Sequence, residues 1–176
     1  ASEDAQQSEM VRIAQEFALM NRSIIAERIL SFFGKGLDER SLVESVHNYI
    51  SERDGIVRKG AISAHKGERV VIPLSMASGV VLGIGKGNPS FNYSAPHGAG
   101  RLFGRKEMKR RLKEGAITMG SFKKSMEGVF STSLSSETID ESPMAYRRWE
   151  DISDEVKETV EVTALLKPVY NLKSPE

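Results

Sequence analysis

The stretch Ser94-Ala95-Pro96-His97-Gly98-Ala99-Gly100-Arg101 sets one of three histidines between a proline and a glycine-rich turn that ends on an arginine. Glycine lets backbone approach a ligand closely and adopt positive φ. Successive N–H groups in such a turn can form an anion-binding concavity. A histidine beside it could be a ligand, a base or a nucleophile toward phosphorus; read alone, the run is equally a plain turn with an incidental histidine. The pieces leading to it are β-rich: Ile56-Val57, Val70-Val71-Ile72 and Gly79-Val80-Val81-Leu82. Gly83, Gly85, Gly87 and Pro89 then punctuate the approach, so His97 is expected on a loop of a strand-built core.

Working outward, residues 8–33 carry Met10, Ile13, Phe17, Met20, Ile24 and Ile29 at three- and four-residue spacing, which predicts a long helix closed by Gly34-Lys35-Gly36. After Arg101 a short basic helix is expected over 105–114, followed by a polar loop over 121–138. Asp140-Glu141-Ser142-Pro143 reads as a helix start, with acids and proline in the first turn and Met144, Ala145, Tyr146 and Trp149 inside it. A second short helix is expected over 153–157, then a closing strand over 160–172 interrupted at Lys167-Pro168. The fold class is therefore α+β: a long N-terminal helix (1–36) packed on a mainly antiparallel β core (37–176), with short helices after the histidine loop.

Of 176 residues, 39% are hydrophobic and 28% charged, ordinary proportions for one globular core. Net charge is +1, so total charge selects no partner; its distribution does more. Nine basic residues between Arg101 and Lys124 face only Glu107 and Glu114, a local block that suits a polyanion as well as a solvated face. There are no cysteines, which excludes disulfides and thiolate chemistry within the chain and fits a reducing, cytoplasmic setting. No apolar run reaches the roughly 20 residues that span a bilayer, and no membrane partner is expected. The chain opens without methionine and enters a helical pattern almost at once, as a segment of a longer protein would.

The order of the pieces is more telling than any one of them. Ala14-Gln15…Asn21-Arg22, His47-Asn48-Tyr49, Arg58-Lys59-Gly60-Ala61, Pro73-Leu74-Ser75-Met76, the His97 stretch, Asp140-Glu141-Ser142-Pro143-Met144-Ala145-Tyr146 and a near-terminal Lys173 together resemble the C-terminal part of the RtcB family of RNA ligases. The resemblance implies a GTP- and manganese-dependent enzyme of RNA repair and tRNA splicing. It joins RNA 3′-phosphate or 2′,3′-cyclic phosphate ends to 5′-hydroxyl ends through a guanylylated histidine. Carried over residue by residue, it makes His97 the nucleophile and His47 a metal ligand. Nucleotide contacts fall to His47, Asn48, Pro73, Leu74, Ser75, Met76, Gly98, Ala99, Gly100, Tyr146 and Lys173, and RNA phosphates to Arg101 and Arg105. The remaining metal ligands and the acidic guanine contact are expected upstream, so this chain alone is expected to be inactive. The family's pocket run Pro-Gly-Ser-Met-Gly-Thr-Ala-Ser reads here Pro73-Leu74-Ser75-Met76-Ala77-Ser78-Gly79-Val80. Leu74, Ala77 and Val80 mark a divergent branch, and the alternative reading is an RNA-end or nucleotide-binding module without ligation.

Overall fold

The computed structural model describes residues 3–38, 40, 42–51 and 53–173. Helix α1 (Glu3–Phe32) comes first and is about 45 Å long at 1.5 Å per residue. It ends where the Gly34 N–H returns to the Ser31 carbonyl (2.9 Å) and the Lys35 N–H to the Leu30 carbonyl (2.9 Å), the crossed pair of bonds that closes a helix on glycine.

Among the described residues seven short strands follow: β1 (Tyr49–Ile50), β2 (Val57–Arg58), β3 (Ala61–Ser63), β4 (Arg69–Pro73), β5 (Val80–Gly85), β6 (Ser94–Pro96) and β7 (Val160–Leu166). They form three antiparallel sheets, β1-β2, β3-β6 and β4-β5-β7. In β4 burial alternates, with Val70 and Ile72 inward, and their partners across the hairpin are Gly83 and Val81. Helix α4 (Trp149–Thr159) lays Ile152 and Val156 on this layer, and Leu74, Ala95 and Ala99 complete the core. A second cluster forms around the fully buried Phe122 of helix α3 (Met119–Ser125), with Met76, Met126 and Ile139. Helix α2 (Arg105–Lys113) buries Met108 and turns its charges outward.

The hairpin loop between β4 and β5 depends on Gly79. Its φ is +88°, and a Cβ there would stand 1.9 Å from the Leu166 carbonyl oxygen of β7. Only a residue without a side chain lets the third strand close this far along β5.

Three expectations change. Among the described residues helix α1 packs chiefly on β1, and Met10, Phe17, Met20 and Phe32 stay more than 60% exposed. Its apolar stripe is thus not spent on the β core. The 121–138 loop opens with α3, which a reciprocal pair between Thr118 and Ser121 starts: Ser121 N–H to Thr118 Oγ1 at 3.0 Å, Thr118 N–H to Ser121 Oγ at 2.9 Å. The acidic helix start at 140–143 is instead two single 3-10 turns, Ile139–Glu141 and Pro143–Ala145. Ser142 between them is extended (ψ 151°), the conformation that a following proline imposes, so no α-helix runs through.

Candidate functional site

Strand β6 ends at Pro96 and delivers His97 to the surface beside the turn between β2 and β3. There the His97 Nδ1 lies 2.6 Å from the Gly60 carbonyl oxygen. A carbonyl only accepts, so Nδ1 carries the proton, and in the neutral ring the lone pair is left on Nε2. The His47 ring stacks on His97 at 5.0 Å between centroids and 23° between planes. Burial, followed by the neighbouring His97 and Arg22, holds His47 below the usual imidazole range and favours its neutral form. Asn48, in a left-handed turn at φ 64°, accepts the Gly60 N–H on Oδ1 at 3.0 Å. One residue thus binds both neighbours: Gly60 donates its N–H to Asn48 and accepts the His97 Nδ1–H on its carbonyl. Arg22 comes to this corner from α1 and pairs with Glu44. Although half exposed, it belongs to the electrostatic setting of His47.

The histidine loop runs directly into a second feature. The Ala99 N–H bonds the Pro73 carbonyl at 3.1 Å, and a Cβ on Gly98 would meet the same oxygen at 3.1 Å. Pro73 is the first wall of a cavity of about 320 Å³ lined also by Leu74, Ser75, Met76, Gly79, Val80, Glu141, Tyr146, Tyr170, Asn171 and Lys173. The volume lies at the lower end of the range for ligand pockets. Of the nucleotide contacts expected from the resemblance, Pro73, Leu74, Ser75, Met76, Tyr146 and Lys173 line this cavity, while His47, Asn48, Gly98, Ala99 and Gly100 do not. The bulk of Leu74 goes largely into the core, where it is 5% exposed, and Ala77 packs on the Phe122 cluster. Val80 leaves the wall apolar where a serine would give a hydroxyl. Of the glycine-turn amides, that of Ala99 is already committed to Pro73, while those of Gly98 and Gly100 have no acceptor among the described residues.

Sequence reasoning missed Glu141. Its carboxylate accepts the Tyr146 hydroxyl at 2.7 Å and lies 3.3 Å from Lys173 Nζ and 3.2 Å from Arg101 Nη1. Burial opposes its ionisation, but Tyr146, Lys173 and Arg101 outweigh it and hold the carboxyl below its usual range. Burial and the facing carboxylate push the Tyr146 phenol up to about 12, so it stays a donor. The signal that could have found Glu141 was its adjacency to Ser142-Pro143, which forces a turn and aims the preceding acid inward. Because the folded carboxyl binds its proton less readily than the unfolded one, Glu141 stabilises the fold above the unfolded pKa of about 4.3 and loses that contribution as pH falls through the lower folded value. A Glu141→Gln variant is therefore expected to unfold at lower urea than the parent at pH 7, with the gap closing in acid. Equal urea midpoints at pH 7 would contradict this.

Arg101 and Arg105 were expected to meet RNA phosphates. Arg101 is bound within the chain, to the Phe103 carbonyl (3.1 Å), the Tyr146 hydroxyl (3.0 Å), Glu141 and the Asp140 carbonyl. Arg105 faces Asp140 at 3.6 Å and Glu141 at 3.8 Å. In this fold both neutralise the buried acids that the 3-10 turns bring in. As to metal, His47 alone does not make a manganese site: among the described residues no group of three His, Cys, Asp or Glu side chains converges. No helix among the described residues is long and apolar enough to cross a membrane.

Fold and site together define an α+β chain with a surface histidine of fixed tautomer, coupled through one loop to a small cavity rimmed by a carboxylate, a phenol and an ammonium. A family model described as "tRNA-splicing ligase RtcB" matches residues 2–174. The chain belongs to the RtcB family. It is 27% identical to the RNA-splicing ligase RtcB of Escherichia coli strain K12, over 91% of this chain and 41% of that protein. It is 28% identical to RNA-splicing ligase RtcB1 of Escherichia coli strain ATCC 25922, with the same coverage. The chain thus spans less than half the length of these curated relatives.

Proposed function

We propose that this chain is the histidine-bearing part of a GTP- and manganese-dependent RNA ligase. The observation that carries the reading is the His97–Gly60 bond, which leaves Nε2 free beside a loop that continues into the cavity wall. Nε2 attacks the α-phosphorus of GTP; the new N–P bond forms as the bond to the β-phosphate oxygen breaks, and pyrophosphate leaves with that electron pair. Nδ1 keeps its proton and donates it in a hydrogen bond to the Gly60 carbonyl, which stabilises the charge that the ring acquires. The guanylate then passes to an RNA 3′-phosphate, freeing His97. A 5′-hydroxyl attacks that activated phosphorus, its proton going to solvent or base, and GMP leaves as the phosphodiester closes. The cavity holds the nucleoside, with Tyr146 and Lys173 as its polar contacts; Gly98 and Gly100 offer amides to the phosphate. His47 supplies one ligand for manganese, and the other ligands must come from outside the described residues. RNA ends and GTP are the partners in this reading, and a cytoplasmic setting suits them.

The test uses the full-length protein with manganese and GTP labelled at the α-phosphate. Label is expected on the peptide containing His97, and its absence would overturn the reading. Val80 favours the second reading, a nucleotide- or RNA-end-binding module, because it removes a hydrogen-bonding hydroxyl from the wall. Label on His97 followed by joining of a 3′-phosphate end to a 5′-hydroxyl end would dismiss that alternative.

A further inference from the structure

The most buried charge among the described residues is Arg58, whose side chain is 1% exposed, and the site as described leaves it unused. Burying a guanidinium is costly, and for stability alone an apolar side chain of similar volume often serves as well. Its partners are therefore informative. Nη1 and Nη2 grip the Asp54 carboxylate at 3.2 and 2.7 Å. Nη1 also reaches the Tyr49 hydroxyl at 3.4 Å, and the guanidinium carbon lies 5.7 Å from the Tyr49 ring centre. Nε donates to Ser94 Oγ at 3.0 Å, and Nη2 to the Asn92 carbonyl at 3.4 Å.

Each of these tethers leads to a different part of the site. Tyr49 directly follows His47 and Asn48. Ser94 opens β6, the strand that ends on the residue before His97. Arg58 itself lies two residues before Gly60, whose N–H and carbonyl hold Asn48 and His97. Asp54 is in turn fixed by the Ile56 N–H at 3.1 Å and by His65 Nε2 at 3.0 Å, and the His65 ring stacks on Tyr93 at 5.0 Å. Arg58, through the Asp54 pair, so holds Asp54 well below the usual carboxylate range, and the pair stays charged.

We propose that Arg58 is a positioning residue: its buried fork joins at one point the three chain segments that place His47–Asn48, Gly60 and His97, and so sets the geometry and tautomer of the His97 ring. A lysine cannot replace it, because one ammonium on a flexible stem has no fixed fork to span Asp54, Tyr49 and Ser94 together. Misplacement of a reacting atom by about 1 Å can cost about 10²-fold in rate, so the effect should show on the histidine step and spare nucleotide binding in the cavity.

The activity arm of the test rests on the ligase reading; the spectroscopic arm does not. In the full-length protein, Arg58→Lys, Tyr49→Phe and Ser94→Ala are compared with the parent by nitrogen–proton correlation of the His97 ring, by GTP affinity, and by the rate of His97 labelling from α-labelled GTP. The parent is expected to show the single Nδ1–H tautomer. Arg58→Lys should show mixed tautomers, with labelling slowed about 10²-fold and GTP affinity within about two-fold. If Arg58→Lys does not fold, Tyr49→Phe and Ser94→Ala decide, since each removes one tether from an otherwise intact side chain; each should slow labelling several-fold and broaden or mix the ring signals. Parental tautomer populations in the folded variants would overturn the proposal. So would slowed labelling that follows reduced GTP affinity alone. Should the parent itself take no label, the ligase reading fails, while the ring signals still decide the role of Arg58.

Discussion

His97→Ala is expected to abolish both label transfer from GTP and end joining in the full-length protein, with losses of at least about 10³-fold, or about 4 kcal/mol of transition-state stabilisation. The side chain is exposed and its contacts are a single bond to the Gly60 carbonyl and the stack on His47, so the fold should survive. His97→Asn separates the roles further. It retains an N–H donor but supplies no nucleophilic nitrogen, so it should be as inactive as the alanine variant. Unfolding in urea should be unchanged for both. A His97→Ala protein that still accepts label would mean that another group is the nucleophile and that the stacked pair serves binding alone.

Gly79→Ala is expected to have the largest effect on the fold. A Cβ at this position meets the Leu166 carbonyl oxygen at 1.9 Å and the Pro168 ring at 3.0 Å. Backbone cannot yield as a side-chain tip does, so β7 must part from the end of β5 where Val80 faces Leu166. Overpacking of this kind costs about 1–3 kcal/mol, and the left-handed φ adds about 1–2 kcal/mol for any residue with a side chain. Gly128→Ala is the matched control, because its φ is +87° and nothing lies within 4 Å of the added carbon. The urea midpoint should fall far more for Gly79→Ala than for Gly128→Ala, and nucleotide affinity should fall with it, since Pro168, Tyr170 and Lys173 follow β7 into the cavity wall. Equal costs at the two positions would show that strain rather than strand apposition governs Gly79.

The long helix, the antiparallel core, α2 and the closing strand were legible because each carries a periodic or punctuated signal: the three–four spacing from Met10 to Ile29, the alternation about Val70 and Ile72, the stop at Lys167-Pro168. The residues that wall the cavity could be grouped beforehand only through family resemblance. No local pattern brings Pro73 to Tyr146 and Lys173; long-range strand pairing does that. The turns at 139–145 were misread because acids and a proline signal a helix start equally well when the chain makes one 3-10 turn and stops. Glu141 and Arg58 escaped for a shared reason. Each looks like an ordinary surface charge in sequence, and each is decided by partners distant in the chain, Lys173 and Arg101 for one, Ser94 for the other. That α1 keeps its apolar stripe exposed was likewise invisible, since periodicity states that a face is apolar and not what covers it.

The segment after β7 lies alongside residues 130–133. The Phe130 N–H bonds the Val169 carbonyl, the Asn171 N–H bonds the Phe130 carbonyl, and the Lys173 N–H bonds Ser133 Oγ. The cavity thus takes its walls from residues 73–80, Glu141, Tyr146 and 168–173, while the histidine pair lies on segments that end at residue 97 and pack on α4, all of them before residue 168. On a ribosome the two halves of the site would come of age at different times, because contacts between distant segments must wait for the later one to emerge. A nascent chain arrested before residue 168 would display the paired imidazoles with no pocket beside them. Arrest-length series probed with a nucleotide analogue would see binding switch on only once the final strap has cleared the exit tunnel.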